Sequence, residues 1–293
     1  MSLPAWSPSS AAEIMTATRT LLGGIILGES PRWHDDLLWF CDWGAHEIRV
    51  AGLDGSSQVM GRVAAFPFCI DWLPDGRLLV VAGSDHMLLR GKRCGPQEFE
   101  PYVSLASVCD RPWNEIVVDR RGNAYLNCVG YDMMAGERPA SGIIALVTPD
   151  STVRQVADKV FFPNGMAVTP DGGTLLVAES HAGRLTAFTI EADGGLSGRR
   201  VWAELGDAAP DGICLDADGA VWYADVPHQR CVRVREGGEV LNVVEVDRGC
   251  FSCALGGTAG KTLFITAARW TGPGGVGEPT GVLLTADAPA PGI

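Results

Sequence analysis

The sequence predicts an all-β protein, a six-bladed β-propeller. The first observation is a hairpin motif that occurs six times: an apolar strand, a turn that is usually Asp-Gly, and a second apolar strand. The second is the period of roughly 40–50 residues, which is typical of one blade per repeat. The third is the near absence of helical periodicity. The six copies span residues 27–42, 67–82, 111–127, 162–179, 209–225 and 250–266.

The strands between these hairpins complete the predicted blades. In residues 13–28, apolar and polar residues alternate, which indicates a strand. We expect this strand to pair with the last strand, 280–289. This pairing would close the ring and leave no open sheet edge. Segment 98–107 is expected to form no more than a turn of helix. Outer strands are predicted at 47–54, 142–150, 183–191 and 231–238.

The chain length suits one closed domain. We predict a single propeller over residues 1–293, with residues 1–12 as a disordered N-terminal extension. Two long connections, 128–141 and 267–279, contain Gly and Pro and are expected to rim a site.

The composition narrows the choice of partner and compartment. A net charge of −12 and a pI of about 4.8 disfavour nucleic acid and anionic membranes, which are bound through basic patches. No basic region followed by an apolar stretch opens the chain, so we predict no signal peptide and a cytoplasmic location. No protein partner is predicted. The nine cysteines form no framework and are expected to be reduced, mostly buried thiols.

The repeat also aligns one position across the copies. Equivalent residues of successive propeller blades lie on a ring around the central axis, and four of the six aligned residues carry side-chain oxygen. Asn and Asp also favour turns and strand ends. Four oxygens in register nevertheless point to a hard divalent cation, so the sequence predicts a central metal site. Counting back seven residues from each turn gives Glu29, Phe68, Asn114, Asn164, Asp211 and Cys253.

Other common hydrolytic machinery finds no support in the sequence. It contains no Gly-x-Ser-x-Gly elbow, which argues against a serine triad of that type. It contains no His-Glu-x-x-His motif, and its five histidines are spread along the chain. A histidine-ligated zinc site is therefore disfavoured.

Four motifs in a fixed order carry a family resemblance. They are LGESPRW (27–33), RPWNEIVVD (111–119), FPNGMAVTPDG (162–172) and PDGICLDADGAVWYAD (210–225). Together they resemble the senescence-marker-protein/gluconolactonase family, which includes regucalcin and bacterial sugar lactonases. The resemblance extends from about residue 25 to the C-terminal strand. It implies a six-bladed propeller with one catalytic divalent cation in the central channel.

The resemblance also implies roles for particular residues. Glu29, Asn164 and Asp211 match the family's metal ligands, and Arg111 and Asn114 match its substrate contacts. Calcium is the first expectation for the cation, and zinc, manganese, magnesium and iron are alternatives. Distant metal-dependent propellers, the paraoxonases and diisopropyl-fluorophosphatase, are similar in their ligand set.

Two further residues are predicted to bind substrate. Glu115 stands where many family members carry Asp. Tyr131 lies in the segment 128–142, whose two methionines indicate a partly apolar acyl pocket rather than a strict sugar-acid pocket. For Arg111, an ion pair with Asp110 or Glu115 is the alternative to a substrate contact.

The predicted activity is the opening of a small lactone, a sugar lactone or a related one. The cation would polarise the ester carbonyl, and a water would attack the carbonyl carbon. Asp211 is the candidate general base, with a purely orienting role as the alternative. Two other functions remain open: an aryl-ester or phosphotriester hydrolase of the paraoxonase type, and a non-catalytic propeller that serves as a binding scaffold.

Overall fold

The structure, a computed structural model, describes residues 13–15, 17–269, 272 and 278–293. The described residues form two leading strands, β1 (Glu13–Met15) and β2 (Arg19–Ile25). The next twelve are β3 (Gly28–His34), β4 (Leu37–Asp42), β5 (Glu47–Ala51), β6 (Ser57–Arg62), β7 (Phe68–Trp72), β8 (Leu78–Ala82), β9 (Met87–Arg90), β10 (Glu100–Ser104), β11 (Trp113–Val118), β12 (Ala124–Cys128), β13 (Gly142–Val147) and β14 (Val153–Val160). The last eleven are β15 (Pro163–Val168), β16 (Thr174–Glu179), β17 (Arg184–Ile190), β18 (Leu196–Glu204), β19 (Pro210–Leu215), β20 (Val221–Asp225), β21 (Arg230–Val234), β22 (Val240–Glu245), β23 (Gly249–Gly256), β24 (Thr262–Ala268) and β25 (Gly281–Asp287).

These strands build six antiparallel blades, which confirms the predicted propeller. Blades 1 to 5 begin with β3, β7, β11, β15 and β19, and each contains four consecutive strands. β1 adds to the outer edge of blade 5 by parallel pairing with β22. The first strand of each blade contacts the first strand of the next, and β23 returns to contact β3. The six first strands therefore surround one central channel.

Blade 6 closes the ring in the way the sequence predicts. Its order is β2-β25-β24-β23, so its outer strand comes from the start of the chain and its other three come from the end. Arg19 pairs with Thr285, and Ile25 pairs with Gly281. Backbone hydrogen bonds between the two ends of the chain thus complete the last sheet and remove its open edge.

Some details of the prediction need correction. Segment 98–107 contains the fourth strand of blade 2 rather than a turn of helix. Cys109 and Cys128 form a disulfide, whereas the sequence predicts reduced thiols. Cys109 precedes β11, and β12 ends at Cys128 beside it, so antiparallel pairing brings the two together. Most of the remaining cysteines are buried free thiols, as predicted.

The predicted N-terminal extension, residues 1–12, lies outside the described residues, as does much of the connection 267–279. In the part of the chain that the structure describes, no helix is long and apolar enough to cross a membrane. One short 3-10 helix, Ser180–Ala182, is present there.

The core lies between neighbouring blades. Leu176 and Leu185 of blade 4 pack with Val221 and Tyr223 of blade 5, and all four are buried. Similar clusters join the other five pairs of neighbouring blades. Burying one such large side chain contributes about 1.5–3 kcal/mol, so the blades stabilise one another along their whole faces.

Three blades share a buried acid at the end of their second strand. We call Asp42, Glu179 and Asp225 the strand-end carboxylates; at most 1% of each is exposed. Each accepts a hydrogen bond from a backbone N–H just before the first strand of its own blade. The donors are Leu27, Phe161 and Ala209, at 3.2, 2.7 and 3.2 Å. The carboxylates thus fix the segments through which the chain enters blades 1, 4 and 5.

Glu179 shows how such a buried charge is neutralised. One of its carboxylate oxygens lies 3.0 Å from the guanidinium groups of both Arg184 and Arg199 and also accepts from the hydroxyl of Thr186. Removing one partner of a buried ion pair is strongly destabilising, since the other charge stays buried without compensation.

We expect Glu179→Ala to lower the free energy of unfolding by about 3–5 kcal/mol. Glu236→Ala removes an acid that pairs with Arg200 on the surface, where both side chains are at least half exposed, and should change stability by less than about 1 kcal/mol. Urea denaturation of both variants measures the difference. Equal effects would show that the network around Glu179 does not stabilise the fold.

The first strands of blades 4 and 5 approach so closely that glycine is required. A Cβ added at Gly165 would lie 2.5 Å from the backbone nitrogen of Ile213 and 2.6 Å from the carbonyl oxygen of Asp211. Both neighbours are backbone atoms of β19, so they cannot rotate away as a side chain would. The glycine of the Pro-Asn-Gly motif therefore sets the spacing of β15 and β19.

Gly165→Ala should destabilise the protein by about 1–3 kcal/mol, because the extra methyl group forces the two strands apart. Gly173→Ala is the matched control: its added Cβ would lie 3.4 Å from the nearest atom, at normal contact distance. It should change stability by no more than about 0.5 kcal/mol. Thermal or urea unfolding distinguishes the two, and an unchanged Gly165→Ala variant would contradict the close approach.

Candidate active site

A cavity of about 320 Å³ opens at one end of the central channel. Four polar residues of four different blades lie in it: Glu29, Asn114, Asn164 and Asp211. Each is the second residue of the first strand of its blade, on β3, β11, β15 and β19. We call these four residues the oxygen ring. The sequence predicts their convergence, and the structure brings them together.

Three members of the oxygen ring interact through Asn164. Asn114 Nδ2 donates to Asn164 Oδ1 at 3.5 Å, and interaction with the Asn164 side chain lowers the pKa of the Asp211 carboxyl. Asn127 Nδ2 donates to the Asn164 carbonyl oxygen at 2.7 Å and holds the backbone of β15. Asn164 therefore interacts with the ring members of both neighbouring blades.

The two acids of the ring lie in an unfavourable electrostatic environment. Burial raises the pKa of Glu29 well above its ordinary value, and the charge of Asp211 raises it further. Burial also raises the pKa of Asp211, although its side chain reaches the cavity, and the charge of Glu115 adds to this. Two buried carboxylates close together cannot both ionise without a compensating positive charge.

The cavity supplies no such charge from the protein. Its described lining residues include three acids, Glu29, Asp132 and Asp211, and no Lys, Arg or His. Carboxylate and amide oxygens with excess negative charge are the donors that hard divalent cations prefer. The residues present therefore fit a cation.

The oxygen ring is not a cluster of three or more acidic, histidine or cysteine ligands. Among the described residues, no group of three such side chains is placed to hold a metal ion. The predicted ligand set, Glu29, Asn164 and Asp211, contains only two side chains of those types, since its third member is an amide.

The other two aligned positions do not belong to the ring. Phe68 packs in the core between blades 1 and 2, and Cys253 packs in the core between blades 5 and 6. Phe66, Pro67 and Phe251 line the cavity in their place. The fixed distance from the turn fails because β7 pairs with β8 without the bulge found in the other blades. In blade 6 the bulge falls between Cys250 and Ser252, before the aligned position.

Glu115, predicted to bind substrate, does not line the described cavity. It follows Asn114 on β11, where the pairing with β12 shifts register between Trp113 and Ile116. Its carboxylate forms an ion pair with Arg32 at 3.2 Å. Arg32 lines a second cavity at the opposite end of the channel. Glu115 therefore acts on the oxygen ring through its charge.

Arg111 also lies outside the described cavity lining. Its guanidinium pairs with Asp110 at 3.0 Å, which was the predicted alternative, and with Glu137 at 2.9 Å. The same Glu137 carboxylate accepts from the backbone N–H of Asp132 at 2.8 Å. Arg111 thus holds the long connection that covers one side of the cavity.

Tyr131, which the sequence predicts to bind substrate, lines the cavity. It is 5% exposed, and its ring packs against Phe162 and His181 at centroid distances of 6.0 and 6.2 Å. Burial raises the pKa of its phenol. Its hydroxyl has no hydrogen-bond partner among the described residues, so it is free to meet a ligand.

Most of the remaining cavity wall consists of apolar residues that the motif search missed. They occupy two recurring positions, directly before a first strand or directly after a second strand. We call them the wall residues: Leu27, Pro67, Pro112, Phe162, Trp43, Val129 and Val226. A search of those two positions in every repeat could have found them.

The strand-end carboxylates serve the same site. They occur in blades 1, 4 and 5, the blades that supply Glu29, Asn164 and Asp211. The backbone N–H groups that they bind belong to Leu27, Phe161 and Ala209. Each donor precedes its site residue by only two or three positions along the chain. A buried acid therefore fixes the backbone immediately before each predicted metal ligand.

Comparison with known proteins agrees with this architecture. The pentonolactonase of Haloferax volcanii is 26% identical, over 90% of this chain and 89% of its own length. Two solved structures share the fold. A gluconolactonase from Xanthomonas campestris is 23% identical with a TM-score of 0.74, covering 93% of this chain and 89% of its own. A regucalcin from Agrobacterium tumefaciens, described as calcium-binding, is 21% identical with a TM-score of 0.78, covering 96% and 97%.

The family model described as the SMP-30/gluconolactonase/LRE-like region matches residues 27–269. This range begins at the wall residue Leu27, includes all of the oxygen ring and ends directly after β24. The chain belongs to the SMP-30/gluconolactonase/LRE-like family.

Proposed function

We propose that this protein is a divalent-metal-dependent hydrolase that opens a lactone ring. The observation that carries the proposal is the oxygen ring: four blades direct oxygen-bearing side chains into a cavity that has three acids and no basic side chain in its described lining. Membership of a family with a pentonolactonase and a gluconolactonase among its relatives supports lactone hydrolysis.

Glu29, Asn164 and Asp211 would hold the cation, and Asn114 lies beside them. The positive charge of the cation would offset the mutual repulsion of Glu29 and Asp211. Without a cation, burial raises the pKa values of both acids. Calcium is the first candidate, because all the donors are oxygens and a relative is described as calcium-binding. When bound, the cation supplies polarisation of the ester carbonyl and stabilises negative charge that develops on its oxygen.

Asp211 is the proposed general base. A carboxylate oxygen of Asp211 would accept a proton from the water that attacks the carbonyl carbon. The ring C–O bond would then break, and the proton would pass to the departing alkoxide oxygen. The Asn164 side chain interacts with this carboxylate, and Asn164 in turn accepts a hydrogen bond from Asn114. Asp211 lines the cavity, where such a water would have to lie.

Substrate contacts are proposed for Tyr131 and Asn114, which line the same cavity. The Tyr131 hydroxyl would donate to an oxygen of the lactone. Arg111 and Glu115 stay predictions in this role. Arg111 would first have to leave Glu137, and Glu115 would have to leave Arg32.

Chelation should abolish lactone hydrolysis, and a divalent cation should restore it. Glu29→Gln and Asp211→Asn should each lower kcat/KM at least about 100-fold. Each should also lower the affinity for the cation, because each removes a charged oxygen donor. Metal content by elemental analysis and a pH-indicator assay on a lactone panel measure both effects.

Asp193→Asn provides the charge-matched control, since Asp193 is an exposed acid that pairs with Arg154 on the surface. It should retain metal and activity. Near wild-type hydrolysis by both ring variants, or full activity after complete chelation, would contradict the proposal. Faster turnover of aryl esters or phosphotriesters in the same panel would favour the alternative bond specificity.

A further inference from the structure

The cavity above the oxygen ring is mainly apolar. Its wall residues come from blades 1 to 5, and Phe251 extends the wall into blade 6. Val226 packs against a buried cluster formed by Leu27, Phe251 and Ala268. Met133 and Met134 lie at the more exposed end, where 37% and 48% of their surfaces are accessible. An apolar lining thus continues from the buried ring to the cavity mouth.

Few polar side chains remain to bind substrate hydroxyls. Outside the oxygen ring, the polar side chains of the described lining are Ser84, Tyr131 and Asp132, together with the indole N–H of Trp43, which already donates to the Phe68 carbonyl oxygen at 2.6 Å. The Ser84 hydroxyl already accepts from the Phe66 backbone and donates to Asp85. Asp132 uses one carboxylate oxygen to bind the backbone of Ala135. Outside the oxygen ring, the Tyr131 hydroxyl and the second carboxylate oxygen of Asp132 are therefore the side-chain groups that can still bind a substrate hydroxyl.

A polyhydroxylated substrate would be poorly matched to this inventory. Each hydroxyl of a sugar lactone that enters an apolar site without a partner loses the hydrogen bonds it made to water. A hydrocarbon substituent gains from burial against the same walls. The cavity volume of about 320 Å³ lies near the lower end of the range for small-molecule sites, roughly 300–1,000 Å³.

We infer that the substrate is a lactone with an apolar substituent, an alkyl chain or an aromatic ring, rather than a polyhydroxylated sugar lactone. This inference rests on the proposed lactonase function. The oxygen ring and cation would take the ester group, and the wall residues would take the hydrocarbon. Outside the oxygen ring, the Tyr131 hydroxyl is the one side-chain donor of the described lining that has no hydrogen-bond partner among the described residues.

Substrate comparison is the first test, with the cation-loaded enzyme. Six-membered lactones with alkyl chains of increasing length are assayed beside glucono-δ-lactone, which has the same ring. We expect kcat/KM for the longer alkyl lactones to exceed that for glucono-δ-lactone at least about tenfold. It should rise about three- to fourfold for each added methylene until the cavity is full.

A preference for glucono-δ-lactone would overturn the inference and leave the lactonase function intact. Hydrolysis of neither class, with the cation present, would overturn the proposed function instead. Binding then decides the inference, because it does not require turnover.

The binding experiment uses an alkyl-substituted δ-lactam, whose amide resists hydrolysis, in calorimetric titrations of the same protein. Apolar burial predicts a negative heat-capacity change on binding. Val226→Thr replaces a wall methyl group with a hydroxyl of similar size and should weaken lactam binding about three- to tenfold. Val156→Thr makes the same change at a half-buried site on β14, outside the described cavity lining, and should leave binding unchanged.

Equal lactam affinity for wild type and Val226→Thr, or equal losses in both variants, would overturn the assignment of this wall to the substrate. A lactam without its alkyl chain should bind at least about tenfold more weakly than the substituted one. Equal affinity for the two lactams would overturn it as well.

Discussion

The site depends on how three buried acids fix the chain before it enters the channel. The strand-end carboxylates are at most 1% exposed, and each binds backbone N–H groups just ahead of a first strand. Burying a charge is costly unless the charge is paired and hydrogen-bonded. Arginines lie within 4.0 Å of all three. These arginines and the backbone N–H groups offset the cost of burying each carboxylate. The carboxylates in turn fix the backbone just before Glu29, Asn164 and Asp211.

This arrangement separates two kinds of buried acid. The strand-end carboxylates have arginine partners, whereas the two acids of the oxygen ring face a cavity without a basic side chain in its described lining. Burial raises the pKa of both Glu29 and Asp211, and the charges of neighbouring acids raise both values further. The strand-end carboxylates thus form ion pairs, whereas Glu29 and Asp211 form none with the described residues. A cation is the partner that this charge and these oxygens suit.

Much of this could be predicted from the repeat. The hairpin motif and its period gave the six blades, and the closing strand followed from its apolar alternation. All four members of the oxygen ring were predicted because their blades have a bulge in the same place and the same number of residues between the site residue and the turn. The prediction was wrong for Phe68 and Cys253, because blade 2 lacks that bulge and blade 6 has it at another position. A count along the chain cannot detect a change in pairing register.

Contacts between side chains that are far apart along the chain could not be predicted from the sequence. Glu115 pairs with Arg32, which is 83 positions away along the chain, and Arg111 pairs with Glu137 in the long connection. Both residues lie in the motif RPWNEIVVD, yet a motif records neighbours in sequence and not contacts with distant side chains. The hairpin over residues 111–127 was predicted, but its register, which pairs Cys128 with Trp113, was not, and the disulfide between Cys109 and Cys128 was therefore missed.

The apolar wall and the oxygen ring act on each other. Wall residues such as Trp43, Val129 and Phe162 reduce the water around the ring, and charge interactions strengthen as the local dielectric falls. The same walls raise the pKa of the uncompensated carboxylates and would strengthen their attraction to a cation. Fixed dipoles and charges also stabilise a developing oxyanion best where water is excluded. The hydrocarbon lining that would select the substrate is thus also part of what would make the ring an effective catalyst.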